Sequence, residues 1–264
     1  MGVKENWWRL NYHGVRLVAI PVVKRLLRIK VLHEGDLPNI RPLFVAPVHR
    51  TSLDMYVVSS EIGEFISYVS TDAFGHSKFV NLVQRQATRS LGSIIWQESG
   101  IANARQRAVV LAKDVEDKLD RRLIVAAFTQ GEFQYDAVNS VEEGLIGLLR
   151  RYEARHLRDK GHELKIPIVP VGIEYRHGKR GLVLSRSFGW MSRHVPFFPN
   201  WAIPAFGTQI IVRFGEPQYF DGRGAKVMTH IVMREAAKLS NIPFNVEVTT
   251  APAPDTAEGR GAAG

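Results

Sequence analysis

His49 and Asp54 are the residues of this chain best suited to moving a proton. An imidazole can accept a hydroxyl proton near neutral pH. A carboxylate bonded to its other nitrogen holds the tautomer and stabilises the imidazolium. The two lie five positions apart, and on one straight helix such residues point about 140° away from each other. They can meet only if His49 lies in a turn and Asp54 in the first turn of the helix behind it, with Thr51 or Ser52 as N-cap between them. Spacing alone favours a solvated turn histidine and an aspartate placed by the helix dipole, so the surroundings decide.

Those surroundings read as α/β. Residues 42–48 form a continuous apolar run, the pattern of a strand buried on both faces of a parallel sheet. Open α/β sheets carry their chemistry at strand ends. Strands are expected at 43–48, 65–70, 93–96, 123–128, 168–174, 182–185 and 209–214. Helices are expected at 53–60, 77–88, 103–119, 141–160 and 225–239. This alternation predicts a mostly parallel sheet flanked by helices. Residues 5–30 read as a basic amphipathic helix or helix pair, with Pro21 allowing a kink and Trp7 and Trp8 suited to a headgroup zone. The expected organisation is an N-terminal amphipathic, membrane-binding segment (1–35), a catalytic domain (36–246) and a disordered tail (247–264). The apolar, proline-interrupted stretch 189–206 either covers the core, lines an acyl pocket or meets lipid.

Further motifs follow His49-Arg50-Thr51-Ser52-Leu53-Asp54 in order: Leu91-Gly92-Ser93-Ile94-Ile95-Trp96, Phe128-Thr129-Gln130-Gly131-Glu132-Phe133, Ile166-Pro167-Ile168-Val169-Pro170-Val171-Gly172-Ile173, and Phe214-Gly215-Glu216-Pro217. Over roughly residues 40–220 this series resembles the glycerolipid acyltransferases, the family of the PlsC-type lysophosphatidic acid acyltransferases. Their first motif is Asn-His-x4-Asp, and Val48 stands here in place of the Asn. The third is Phe-Pro-Glu-Gly-Thr-Arg and the fourth Val-Pro-x-Val-Pro-Val. The resemblance implies O-acyl transfer, with His49 as general base, Asp54 as its partner, and Gly131 as a candidate backbone donor to the oxyanion. Gly92, Gln130, Gly131 and Glu132 are then candidates for substrate binding. The arginines that bind the acceptor's phosphate in the second and third motifs are replaced by Glu98 and Phe133. Either Arg50, Arg85, Arg89 and Arg105 substitute for them, or the acceptor lacks a phosphomonoester.

Composition excludes several other classes. The chain has no cysteine, which removes thiolate metal sites, disulfides and cysteine nucleophiles. Gly75-His76-Ser77-Lys78-Phe79 departs from a serine elbow at its fifth place. Thirty-five Lys and Arg against 26 Asp and Glu give a formal charge of +9, which suits an anionic membrane; no nucleic-acid-binding pattern accompanies it. No signal peptide or membrane-crossing stretch is expected. The function expected is a membrane-associated O-acyltransferase, peripheral on the cytoplasmic face. It would move a fatty acyl group from acyl-CoA or acyl carrier protein to a lipid hydroxyl, with no metal and no cofactor beyond that donor. The competing reading is a non-catalytic lipid-binding or scaffold protein on the same fold.

Overall fold

The computed structural model describes residues 3–51, 53–71, 78–96, 103–131, 134–176, 204 and 207–247. Seven strands form one sheet: β1 (Lys30–Glu34), β2 (Leu43–Pro47), β3 (Ile66–Thr71), β4 (Ile94–Trp96), β5 (Ile124–Ala127), β6 (Ile168–Arg176) and β7 (Gln209–Phe214). Their order is β1-β7-β6-β2-β5-β3-β4. All neighbours are parallel except β6 and β7. The central strands β2, β5, β3 and β4 therefore end at one edge, where the first motif stretch follows β2 and the third follows β5, while the second contains β4 itself. The fourth motif is β6 itself, which runs beside β2.

Alternation along each strand divides the core in two. Leu43, Val45, Ile124, Ala126, Val169, Val171 and Ile173 face one side and meet Val57 and Val58 of α3 (Asp54–Glu61). Phe44, Ala46, Val125, Ala127 and Ile168 face the other. They meet Leu111 and Val115 of α5 (Ala104–Asp120), Ile146 and Leu149 of α6 (Gly144–Lys160), and Met228 and Val232 of α7 (Ala225–Leu239). Every residue of β2 is buried, so the apolar run has no solvent face to mark. Helix α4 (Lys78–Ser90) leads into β4.

The N-terminal residues form one helical rod: α1 (Val3–Gly14), a π turn (Val15–Ala19) and α2 (Ile20–Leu26). The wide turn falls just before Pro21, whose ring in a regular α-helix would press on the carbonyl of Leu17. The inner side is tied to the domain. Asn11 donates to the Ser90 carbonyl at 3.2 Å, Arg16 to that of Gly63 at 2.7 Å, and Lys24 to Ser60 Oγ at 2.9 Å. The Lys118 ammonium lies 3.5 Å over the Trp8 ring. The outer side exposes Trp7, Leu10, Leu17, Val18, Val22 and Leu26. Among the described residues no helix is long and apolar enough to cross a membrane.

Three expectations need correction. Lys30–Glu34, within the N-terminal segment expected at 1–35, pairs with β7 from Lys30↔Gln209 to Glu34↔Arg213, so that segment supplies an edge strand of the sheet. The sixth helix starts at Gly144 rather than 141, because Val141 packs on a cluster containing Val48 and Met233, and the Glu142 N–H bonds the Thr129 carbonyl at 2.6 Å. Leu53, not Thr51 or Ser52, is the N-cap of α3, and its N–H donates to Thr51 Oγ1 at 3.1 Å. The strand expected at 182–185 lies outside the described residues, as do most of the 189–206 stretch and the tail after 247.

Candidate active site

His49 lies in the turn after β2 and Asp54 opens α3, the arrangement that their spacing demands. His49 Nδ1 stands 3.1 Å from Asp54 Oδ2. The aspartate side chain is fully buried, whereas the histidine is 20% exposed. Asp54 collects further donors: the N–H groups of Arg50 at 2.5 Å and Thr51 at 2.7 Å on Oδ2, and the hydroxyls of Thr51 at 3.0 Å and Tyr175 on Oδ1. Thr51 Oγ1 and Tyr175 Oη are themselves 2.7 Å apart. Each hydroxyl has one proton, and both protons serve the carboxylate, so this third approach follows from the shared acceptor. Burial, and next the Asp54 charge, hold the Tyr175 phenol well above its ordinary range, which keeps it a donor. With Nδ1 turned to the carboxylate, Nε2 is the basic nitrogen of the neutral ring.

The backbone of His49 is held from both sides by the loop after β5. Its N–H donates to Gln130 Oε1, and its carbonyl accepts from the Gln134 N–H at 2.9 Å. Gln134 also binds Ser140 and Asn139, closing the loop on itself. Phe128 stacks on the imidazole with centroids 3.9 Å apart, and its ring is in turn 6.1 Å from Tyr68. Gly131 has φ +76°, a backbone conformation that favours glycine. Its N–H turns back to the Phe128 carbonyl at 3.4 Å, which occupies the backbone donor expected for an oxyanion.

The other sequence candidates separate. Arg50 is 4% exposed, and its guanidinium donates to the carbonyls of Tyr135 at 2.7 Å and Ile173 at 3.2 Å. Burial lowers its pKa, with Tyr175 and Asp54 opposing the shift. It fastens the His49 turn to β6 and the 134–140 loop instead of reaching for a substrate. Gly92, with φ +75°, is a packing glycine: a Cβ would meet Phe65 at 2.6 Å and Trp8 at 3.2 Å. Arg89 lies in the last turn of α4, just before β4 begins, at the sheet edge opposite the one where β2 ends. Arg85 is one turn earlier. Arg105, in the first turn of α5, follows the end of β4 and shares the edge of His49. Glu98, Glu132 and Phe133 lie outside the described residues.

Tyr175 and Gln134 are the site residues that sequence reasoning passed over. Tyr175 was legible only as the next inward position after Val169, Val171 and Ile173. With Pro47 paired to Val171, the parallel register carried four residues on sets Tyr175 level with Thr51. Beneath the N-terminal rod lies a small, mainly apolar crevice of about 20 Å³, lined by Tyr12, Val15, Ile20, Met55, Tyr56 and Tyr68 among others. Tyr68 thus joins the crevice to the Phe128–His49 stack.

No family model matches this chain, nor does any curated protein. The crystal structure of the 1-acyl-sn-glycerophosphate (LPA) acyltransferase PlsC from Thermotoga maritima is similar, at 14% identity over 86% of this chain and 82% of that one, with a TM-score of 0.46.

Proposed function

We propose that this protein is an O-acyltransferase that moves a fatty acyl group from a thioester, acyl-CoA or acyl carrier protein, to the hydroxyl of a lipid acceptor. The observation that carries the reading is the His49–Asp54 pair, 3.1 Å apart with the carboxylate buried and saturated by donors. Positioning of this completeness suits a general base that works without a covalent intermediate. His49 Nε2 takes the acceptor's proton, the oxygen attacks the thioester carbonyl, and the thiolate leaves with that proton. The motif order supports an acyl substrate.

The acceptor is read as a lipid alcohol without a phosphomonoester. Of the arginines available to replace a lost phosphate clamp, Arg50 is committed to backbone carbonyls and Arg89 lies toward the opposite edge of the sheet, which leaves Arg105 at the His49 edge. The reading places the enzyme peripherally on the cytoplasmic face of a membrane, with the apolar outer side of the N-terminal rod against lipid.

The test is thioester consumption with a panel of lipid alcohols, product masses being read out. His49→Ala should lower turnover by about 10² to 10⁴, the usual yield of a general base, and should leave the fold intact. A folded His49→Ala protein that turns over like wild type would remove the mechanism and leave a lipid-binding role.

A further inference from the structure

His156 and His162 meet where α6 ends and the chain turns toward β6. Gly161, the C-cap of α6, has φ +73°, and its N–H closes on the Leu157 carbonyl at 2.9 Å. Beyond the turn Leu164 packs on the core, and the Ile166 N–H bonds Glu153 Oε1 at 2.7 Å. Both limbs of the turn are therefore held. The two imidazoles approach with their Nε2 atoms 3.1 Å apart. His162 is exposed and His156 half-buried, so solvent reaches both rings. His162 Nδ1 lies 3.3 Å from the Lys160 carbonyl. A carbonyl only accepts, so Nδ1 keeps the proton, and Nε2 of the neutral ring offers its lone pair on the side of His156.

A hydrogen bond between the two rings would be a bent one. A straight N–H···N bond of this length would set the ring centroids about 5.4 Å apart. They are 4.8 Å apart, with the planes at 86°. Shared equally between the rings, that bend makes their nitrogen axes converge at about 95°, on a point about 2.1 Å from both nitrogens, which is the zinc–imidazole distance. We propose that His156 and His162 form a two-histidine chelate for a divalent transition metal ion such as zinc, with water completing the coordination. Neutral imidazole suits such ions. No third His, Asp or Glu joins the pair among the described residues. Of the cations that flank His156 along the helix, Arg155 is paired with Glu116 and Arg158 with Asp159. The pair precedes β6, which runs parallel to β2, so it sits at the sheet edge opposite His49 and takes no part in acyl transfer. The ion would pin the end of α6 to the lead-in of the strand that carries Tyr175.

The test is calorimetric titration of the metal-free full chain with zinc. Wild type should bind one equivalent through this pair. His156→Gln and His162→Gln each leave a single imidazole, and each should weaken that binding by about tenfold or more, since the second bond of a chelate forms intramolecularly. The double variant should be little weaker than either single one. Without metal the melting temperatures should match, and zinc should raise that of wild type above those of the variants. His49→Ala should bind zinc as wild type does. Wild-type affinity in either single variant would overturn the proposal and leave the pair as a hydrogen bond. Loss of the binding in His49→Ala would move the ion to the catalytic edge and overturn it equally. Imidazole ¹⁵N spectra give a second readout: zinc should shift Nε2 of both histidines, and a shift at only one of them rejects the chelate.

Discussion

Asp54 is worth more to His49 than a bare carboxylate because five donors converge on its two oxygens. Hydrogen bonds to charged groups contribute more than neutral ones, about 1.5–3 kcal/mol each. Tyr175→Phe should therefore lower stability by about that amount and turnover by roughly tenfold, since a decade of rate corresponds to about 1.4 kcal/mol. Melting curves and kcat are the two readouts, and a variant with wild-type kcat would mean that the phenol is only packing. The His49–Asp54 contact was legible because both residues share one short segment. What surrounds them was not. Arg50 meets its carbonyl partners 85 and 123 residues away, and Gln130 meets His49 across 81. Contacts at such separations are created by strand order, which periodicity does not encode. That is why Arg50, a basic residue beside the motif, read as a substrate ligand.

Elements were more legible than their order. The alternation of apolar runs and amphipathic stretches locates β7 and α7 to the residue and most others within one or two, because buried strands and helices announce themselves locally. The edge strand β1 was hidden: its basic, half-exposed residues resemble the end of a helix more than a strand. The N-terminal rod has two unlike sides. Tyr12 and Ile20 are buried, whereas Leu10, Leu17 and Leu26 are 65%, 67% and 69% exposed. Truncating the rod would confound membrane contact with loss of core, so exposed positions make the better test. Replacing Leu10, Leu17 and Leu26 by Ser should leave melting unchanged and weaken flotation with anionic vesicles by about 30-fold or more. That follows if each leucine gains even half of the ~1.5–3 kcal/mol of full burial. Undiminished flotation would reject this face as the docking surface. Wild-type binding should also fall with added salt, as the flanking Arg and Lys are screened.

At the scale of the whole molecule, stability should carry a pH signature that has nothing to do with catalysis. Glu153 of α6 accepts the Ile166 N–H at 2.7 Å on the far side of the sheet from α3. Burial pushes its carboxyl up to about 7, against the opposing pull of that bond. Between the ordinary carboxylate range and about pH 7 the folded chain therefore holds a proton that the unfolded chain has lost. This contribution is full in acid and disappears as pH rises through about 7. Glu153→Gln keeps the oxygen for Ile166 and cannot ionise. Its melting temperature should exceed that of wild type by a margin that grows from about pH 5 to pH 8, and a constant margin would show that the carboxyl titrates normally.

The wide turn at Val15–Ala19 also governs rotation. An α-helix advances ~100° per residue, so from Trp7 to Leu26 a regular one would overshoot whole turns by about 100°. A turn closed i→i+5 holds an extra residue and gives back part of that angle. The rod thus keeps its two flats in phase over its whole length, one keyed to the sheet and the other turned outward. Its axial orientation is set by the core beneath it, so a surface that engaged the outer flat would meet the sheet and the His49 edge at a fixed attitude.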